Sequence, residues 1–97
     1  MRYFALVYHV VDDYVSRRGA YREEHLALAR AAHARGELLL AGAFTDPPDT
    51  ALLVWRCADT GPVEAFVAAD PYVKNGLVAR HEIRDWKVVV ADQPLAL

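Results

Sequence analysis

The segment that most constrains the fold is residues 3–11, because both of its alternating sets of side chains are largely apolar. Its aromatic and β-branched residues favour an extended strand. Phe4 and Leu6 fall on one predicted face, and Ala5 and Val7 fall on the other. A strand that is apolar on both faces is covered on both faces. The sheet that contains this strand therefore needs a cover on each side.

The length and composition indicate where the second cover comes from. A chain of 97 residues predicts one domain, spanning residues 1–97. Its residues are 55% apolar, which is more than a domain of this size can bury by itself. We therefore predict a homodimer in which two sheets cover each other, since symmetric homodimers are the commonest oligomers.

The remaining elements follow from helical periodicity, alternation and turn residues. We predict a helix over residues 14–35, ending at Gly36, and a hairpin of strands over 37–44 and 50–57. A helix over 63–69, a short helical turn that Asp70 caps, and a strand over 78–90 follow. Residues 91–97 form a tail or a dimer contact. The βαββαβ order predicts an α+β, ferredoxin-like domain with a four-stranded antiparallel sheet and both helices on one face.

Charge and hydropathy exclude several classes of partner. The formal net charge is −2 with no basic block, so nucleic acid is not an expected partner. No run approaches the roughly 18 apolar residues of a membrane span. Residues 1–7 match a first strand better than a signal peptide. Cys57 is the single cysteine, which excludes an intrachain disulfide and fits a cytoplasmic location.

The spacing of histidine, cysteine and glycine predicts neither a metal nor a cofactor. No two histidines stand at the i, i+2 or i, i+4 spacing of a zinc site, and no cysteine pair exists. No glycine-rich phosphate loop is present, so no nucleotide is expected.

His25 is the main candidate for chemistry. Helical spacing places it on the inward arc of the first helix with Tyr21 and Leu28. Histidine exchanges protons near neutral pH, so it can act as a general base or acid. The alternative is a core histidine that makes one hydrogen bond. Arg22, one turn away, either binds a substrate carboxylate, pairs with a glutamate, or snorkels to water at the sheet edge.

Two further residues are candidates for substrate contact. Tyr72 either donates a hydrogen bond into a pocket or packs in its turn. His9, at the end of the first strand, lies either at a pocket mouth or at a solvated strand end.

Four motifs in order carry a resemblance to a known family: REEHL at residues 22–26, GELLLAG at 36–42, ADPYV at 69–73 with Gly76-Leu77 after it, and EIRDWK at 82–87. In sequence and spacing they resemble the YCII-related (YciI-like) family of the dimeric α/β-barrel proteins. The resemblance covers nearly the whole chain.

The resemblance implies a face-to-face dimer with one pocket in each subunit. It also implies a His–Asp pair, formed here by His25 and Asp70. A related branch, the chloromuconolactone dehalogenases, eliminates halide, and the similar muconolactone isomerases move a proton. The expectation is a small cofactor-independent enzyme that uses this pair for isomerisation, elimination or cyclisation of a small organic metabolite, in secondary metabolism or aromatic degradation.

Three alternatives stay open at this point. The first is a non-catalytic module that binds a metabolite in the same pocket. The second is a structural or regulatory subunit. The third is a cofactorless monooxygenase, since similar barrels host that chemistry.

Overall fold

The computed structural model of the chain describes residues 1–91. Four strands and four helices follow one another, with a short 3₁₀ turn, Arg18–Ala20, after the first helix. Their bounds in chain order are β1 Arg2–Val10, α1 Tyr14–Arg17, α2 Arg22–Ala34, β2 Leu38–Ala43, β3 Thr50–Cys57, α3 Gly61–Ala69, α4 Pro71–Lys74 and β4 Val78–Asp85.

The strands form one sheet in the order β2-β3-β1-β4, and every neighbouring pair is antiparallel. This order places β1 in the middle of the sheet, as its apolar faces require, and β2 at one edge. The predicted α+β, ferredoxin-like fold with a four-stranded antiparallel sheet is confirmed.

The core lies between one face of the sheet and the helices α2 and α3. Phe4, Leu6 and Trp55 are buried there against Ala32 of α2 and Phe66 of α3. The side chains of alternate positions, Ala5 and Val7 among them, point to the opposite face. Ala5 and Val7 are only half-buried, and no helix of the described residues covers them.

The prediction of one continuous helix over residues 14–35 is wrong. The chain forms the short α1, turns through the 3₁₀ segment, and starts again at Arg22. Gly19 lies in that segment, and glycine is a poor helix former. Tyr14 packs in a separate cluster with Tyr72 and Leu77, which holds α1 away from the axis of α2.

The last strand is shorter than the predicted 78–90, because its partner runs out. β4 pairs with β1 from Val10↔Val78 to Phe4↔Asp85, and one more hydrogen bond joins Trp86 N–H to the Tyr3 carbonyl. β1 begins at Arg2, so nothing remains to pair with the following valines. The prediction for residues 91–97 lies, apart from the exposed Ala91, outside the described residues.

Among the described residues, no helix has the length and apolar character that crossing a membrane requires. The cytoplasmic location stays a prediction.

Candidate active site

A cavity of about 270 Å³ opens between the start of α2, the edge strand β2 and the turn that contains α4. Small residues of β2 leave room on one wall, while aromatic, basic and aliphatic side chains form the others. The lining residues are Tyr8, Tyr14, Arg18, Arg22, His25, Leu26, Ala29, Ala41, Gly42, Ala43, Ala51, Leu53 and Tyr72.

Asp70 lies behind this cavity and is completely buried. It follows the last residue of α3 and is the N-cap of α4, where the Tyr72 backbone N–H donates to Oδ1 at 3.0 Å. The same oxygen lies 2.9 Å from Nδ1 of His25, and Oδ2 accepts the Tyr8 hydroxyl at 2.9 Å. Capping the helix and contacting the histidine therefore coexist, and a third donor uses the second oxygen.

His25 occupies the first turn of α2, where its side chain is 14% exposed and lines the cavity. The network assigns the proton to Nδ1, because Oδ1 of Asp70 already accepts a backbone N–H and acts as acceptor again. Nε2 then carries the free lone pair. The ring stacks on Tyr72 with centroids 4.0 Å apart and planes 10° apart, which fixes its orientation. This arrangement permits proton transfer at Nε2.

Tyr8 is a residue of this network that sequence reasoning missed. Burial and the negative charge of Asp70 raise the pKa of its phenol far above the ordinary value, so the hydroxyl stays protonated and donates. A signal was present, since Tyr8 shares the buried face of β1 with Phe4 and Leu6 and carries its one polar group. A buried hydroxyl requires a partner.

The structure brings together most of the predicted site residues. His25, Arg22 and Tyr72 all line the cavity, and Asp70 contacts His25 from behind. Their roles in catalysis and binding remain predictions.

His9 does not belong to this group. The alternation of β1 turns it to the opposite face of the sheet from Tyr8, where its Nε2 lies 2.8 Å from Oε1 of Glu82 on β4. Contact with His9 lowers the pKa of the Glu82 carboxyl. His9 therefore does not lie at the mouth of this cavity. Its position along the strand indicates which end of the sheet it occupies, but the alternation of side chains decides which face it points to. A role of His9 in substrate binding stays a prediction.

Within residues 1–91, no three His, Cys, Asp or Glu side chains come together as a metal-binding group. Cys57 is buried at the end of β3, away from the cavity. The functional groups among the described side chains that line the cavity are thus one imidazole, two guanidiniums and several phenols.

Comparisons with known proteins agree with this architecture. The family model of the YCII-related domain matches residues 1–87. No curated protein matches the sequence.

Solved structures that share the fold include those of two other proteins. One is 5-chloro-2-hydroxyhydroquinone dehydrochlorinase (TftG) from Burkholderia phenoliruptrix AC1100, in complex with 2,5-dihydroxybenzoquinone. It is 20% identical with a TM-score of 0.74, over 88% of this chain and 93% of that one. The other is a candidate antibiotic biosynthesis monooxygenase from Deinococcus radiodurans. It is 15% identical with a TM-score of 0.58, over 99% of this chain and 100% of that one.

Proposed function

This chain belongs to the YCII-related domain family, and we propose that it is a small acid/base enzyme in which His25 transfers a proton of an organic substrate. The observation that carries the proposal is the 2.9 Å contact between Nδ1 of His25 and the completely buried carboxylate of Asp70. A carboxylate in this position orients the imidazole, selects its tautomer and stabilises the imidazolium that forms on proton transfer.

The burial of Asp70 explains how this contact can hold the His25 imidazole in one orientation. Three donors hold the carboxylate, from His25, Tyr8 and the Tyr72 backbone, so it neither rotates nor exchanges its partners for water. Within the described part of the chain, Nε2 of His25 has no hydrogen-bond partner. It is therefore the nitrogen left for a substrate in the cavity.

The proposed reaction begins when Nε2 removes a proton from a hydroxyl or from a carbon next to a carbonyl. The electron pair left behind moves into the substrate as an enolate or phenolate. Return of the proton to another atom gives isomerisation, and departure of a leaving group gives elimination. The dehydrochlorinase of the same fold supports elimination as the first reaction to test, since dehydrochlorination is the net loss of HCl.

The test follows proton transfer directly. The full chain is incubated in D₂O with enolisable ketones and with 5-chloro-2-hydroxyhydroquinone, and NMR measures the exchange of C–H protons while chloride release is recorded. His25→Ala should lower the rate about 10²–10⁴-fold, the usual contribution of a positioned base.

His81→Ala is the matched control, because His81 is exposed on β4 and lies outside the cavity. It should leave the rate unchanged. Full activity of His25→Ala would refute the proposed role. Ligands that bind and emerge unchanged would indicate a binding module instead, and oxygen uptake with a phenolic substrate would indicate a monooxygenase.

We also propose that two copies pack through the face of the sheet that α2 and α3 leave open. Half-buried apolar side chains occupy this face, including Val7 and Leu52, which stand opposite each other in the register of β1 and β3. Leu40 on the same face is 64% exposed. Covering these side chains with a second copy removes them from water.

A further inference from the structure

We propose that the cavity recognises a planar ring that bears an oxyanion, either a carboxylate or a phenolate, and that Arg18, Arg22 and the Tyr72 hydroxyl bind this group. The proposal rests on the proposed function, because it names the substrate class of the same cavity.

The two guanidiniums at the cavity have no carboxylate partner among the described residues, which is also true of Arg30, Arg56 and Arg84 outside the cavity. Arg2, Arg17, Arg35 and Arg80 each lie within 4 Å of a carboxylate. Among the described residues, Arg18 and Arg22 have no such ion pair although both line the cavity. The Arg18 guanidinium instead lies over the ring of Tyr14, 5.3 Å from its centroid. Two uncompensated positive charges at one cavity attract and orient an anion.

The Tyr72 hydroxyl provides a second, independent observation. Tyr72 is only 2% exposed, and its hydroxyl has no hydrogen-bond partner among the described residues. Leaving such a group unpaired is unfavourable, because it has given up its hydrogen bonds to water without a replacement. A ligand oxygen in the cavity that Tyr72 lines would satisfy it. Trp55 and Arg56 also have an unpaired buried nitrogen, but neither residue lines the cavity.

The Tyr72 ring and the two arginines line the same cavity, and the arginine charges act on the Tyr72 hydroxyl. Burial and the neighbouring Tyr14 raise the pKa of Tyr72, while the charges of Arg22 and Arg18 act in the opposite direction. The net effect is a rise, so Tyr72 remains protonated at neutral pH and donates. A neutral donor beside two cations suits an anionic oxygen better than a neutral amide, because charge-assisted hydrogen bonds are about twice as strong.

The size and walls of the cavity indicate a ring. Its volume of about 270 Å³ is at the small end of ligand pockets and fits one substituted six-membered ring. Leu26, Ala29 and Leu53 provide aliphatic side chains to the cavity, and the small residues of β2 that line it take up little of its space. One bound ring would then contact both the anion-binding groups and the Nε2 atom of His25. The same donors would stabilise the negative charge that develops on the ring when the proton is removed.

Binding of unreactive probes tests the proposal. NMR titration of the full chain compares benzoate with benzamide, which has a similar shape and no charge. Benzoate should bind at least tenfold more tightly, which corresponds to about 1.4 kcal/mol. A parallel arm titrates 4-nitrophenol, whose yellow anion reports phenolate binding by absorbance. Preference for either anion over benzamide supports the proposal and identifies the oxyanion type.

Variants assign the effect to the proposed residues. Arg18→Gln and Arg22→Gln should each weaken binding of the preferred anion about 5–20-fold, and Tyr72→Phe about 3–10-fold, with benzamide unaffected. Arg30→Gln is the matched control, since Arg30 is an exposed arginine of α2 outside the cavity. It should bind both probes like the original chain.

Three results would overturn the proposal: equal affinity for the anions and benzamide, no saturable binding of either anion at millimolar concentration, or the same loss in Arg30→Gln as in Arg22→Gln. These probes undergo no turnover, so the two proposals fail separately. Selective anion binding by a chain that shows no proton exchange would leave this inference intact and end the proposed function.

Discussion

Asp70 shows how one residue serves both the fold and the site. Its position before Pro71 makes it the cap of α4, and its carboxylate receives donors from β1 and α2 as well. Because the side chain is completely buried, its hydrogen bonds offset the free energy lost when the carboxylate leaves water. Loss of any one donor therefore destabilises the carboxylate. The Tyr8 hydroxyl is therefore part of what holds His25 in place, although it contacts Asp70 alone in this network.

At the residue scale we predict that Tyr8→Phe changes how stability depends on pH. The folded-state pKa of Tyr8 is raised above its ordinary value of 10.0. Its contribution is therefore complete below about pH 10, and above that pH the stability falls by about 1.4 kcal/mol per pH unit. Tyr8→Phe should lower the unfolding free energy by about 1–2 kcal/mol at pH 7. Above about pH 10, the unfolding free energy of this variant should fall less steeply with pH, because one fewer proton is released on unfolding.

Denaturant unfolding between pH 7 and pH 11 measures both effects. Tyr21→Phe is the control, because Tyr21 is half-exposed and has no side-chain hydrogen bond within the described residues. Equal alkaline slopes in Tyr8→Phe and the original chain would contradict the prediction.

At the element scale, the end of α2 is determined by Gly36. This residue has φ +80°, its N–H donates to the His33 carbonyl, and the Glu37 N–H donates to the Ala32 carbonyl. These two bonds form a Schellman motif, which satisfies carbonyls that the helix leaves unpaired. The chain can then reverse at once into the edge strand β2, which forms one wall of the cavity.

We predict that Gly36→Ala destabilises the protein by about 1 kcal/mol, because an L side chain is strained at positive φ. No atom lies within 4 Å of the added Cβ, so the cost is conformational and not a clash. Thermal unfolding should show a fall of about 4–8 °C in Tm. Gly19→Ala adds the same methyl to open space without positive φ, and there Tm should stay level or rise. Equal losses in both variants would point to a cause other than φ.

At the scale of the whole molecule, the two faces of the sheet have different covers. Helices α2 and α3 bury one face, and the proposed partner subunit buries the other. The site lies on the helix side, so each subunit contains its own His25–Asp70 contact. The composition, 55% apolar in 97 residues, is consistent with a chain that has a second surface to bury.

We predict a particle of about twice the 10.8 kDa chain mass in light scattering after size exclusion. Leu40→Lys places a charge on an exposed position of the open face and should give the monomer mass. Val15→Lys makes a similar change on α1, where Val15 is also exposed, and should remain a dimer. If the unsubstituted chain elutes as a monomer at micromolar concentration, the proposed pairing is excluded. If both variants remain dimers, the interface lies elsewhere.

Local sequence alone determined the order of elements, the inward direction of His25 and the capping role of Asp70. Each of these depends on periodicity or on residues within a few positions of one another. The strand over 50–57 was predicted with the bounds that the structure has, since turn residues flank it on both sides. The sheet order then followed from the arrangement of elements.

Tertiary structure decided the rest, because alternation specifies a face and not the partner on that face. Tyr8 and Asp70 are 62 positions apart, and His25 and Asp70 are 45 apart, so only packing of β1, α2 and α4 brings the three together. The end of β4 at Asp85 and the pairing of His9 with Glu82 arise the same way, and the packing of Tyr14 on Tyr72 and Leu77 adds to the local effect of Gly19 at the break before α2. In these cases the outcome depends on whether a residue far away in the sequence packs against the position, which the local pattern does not specify.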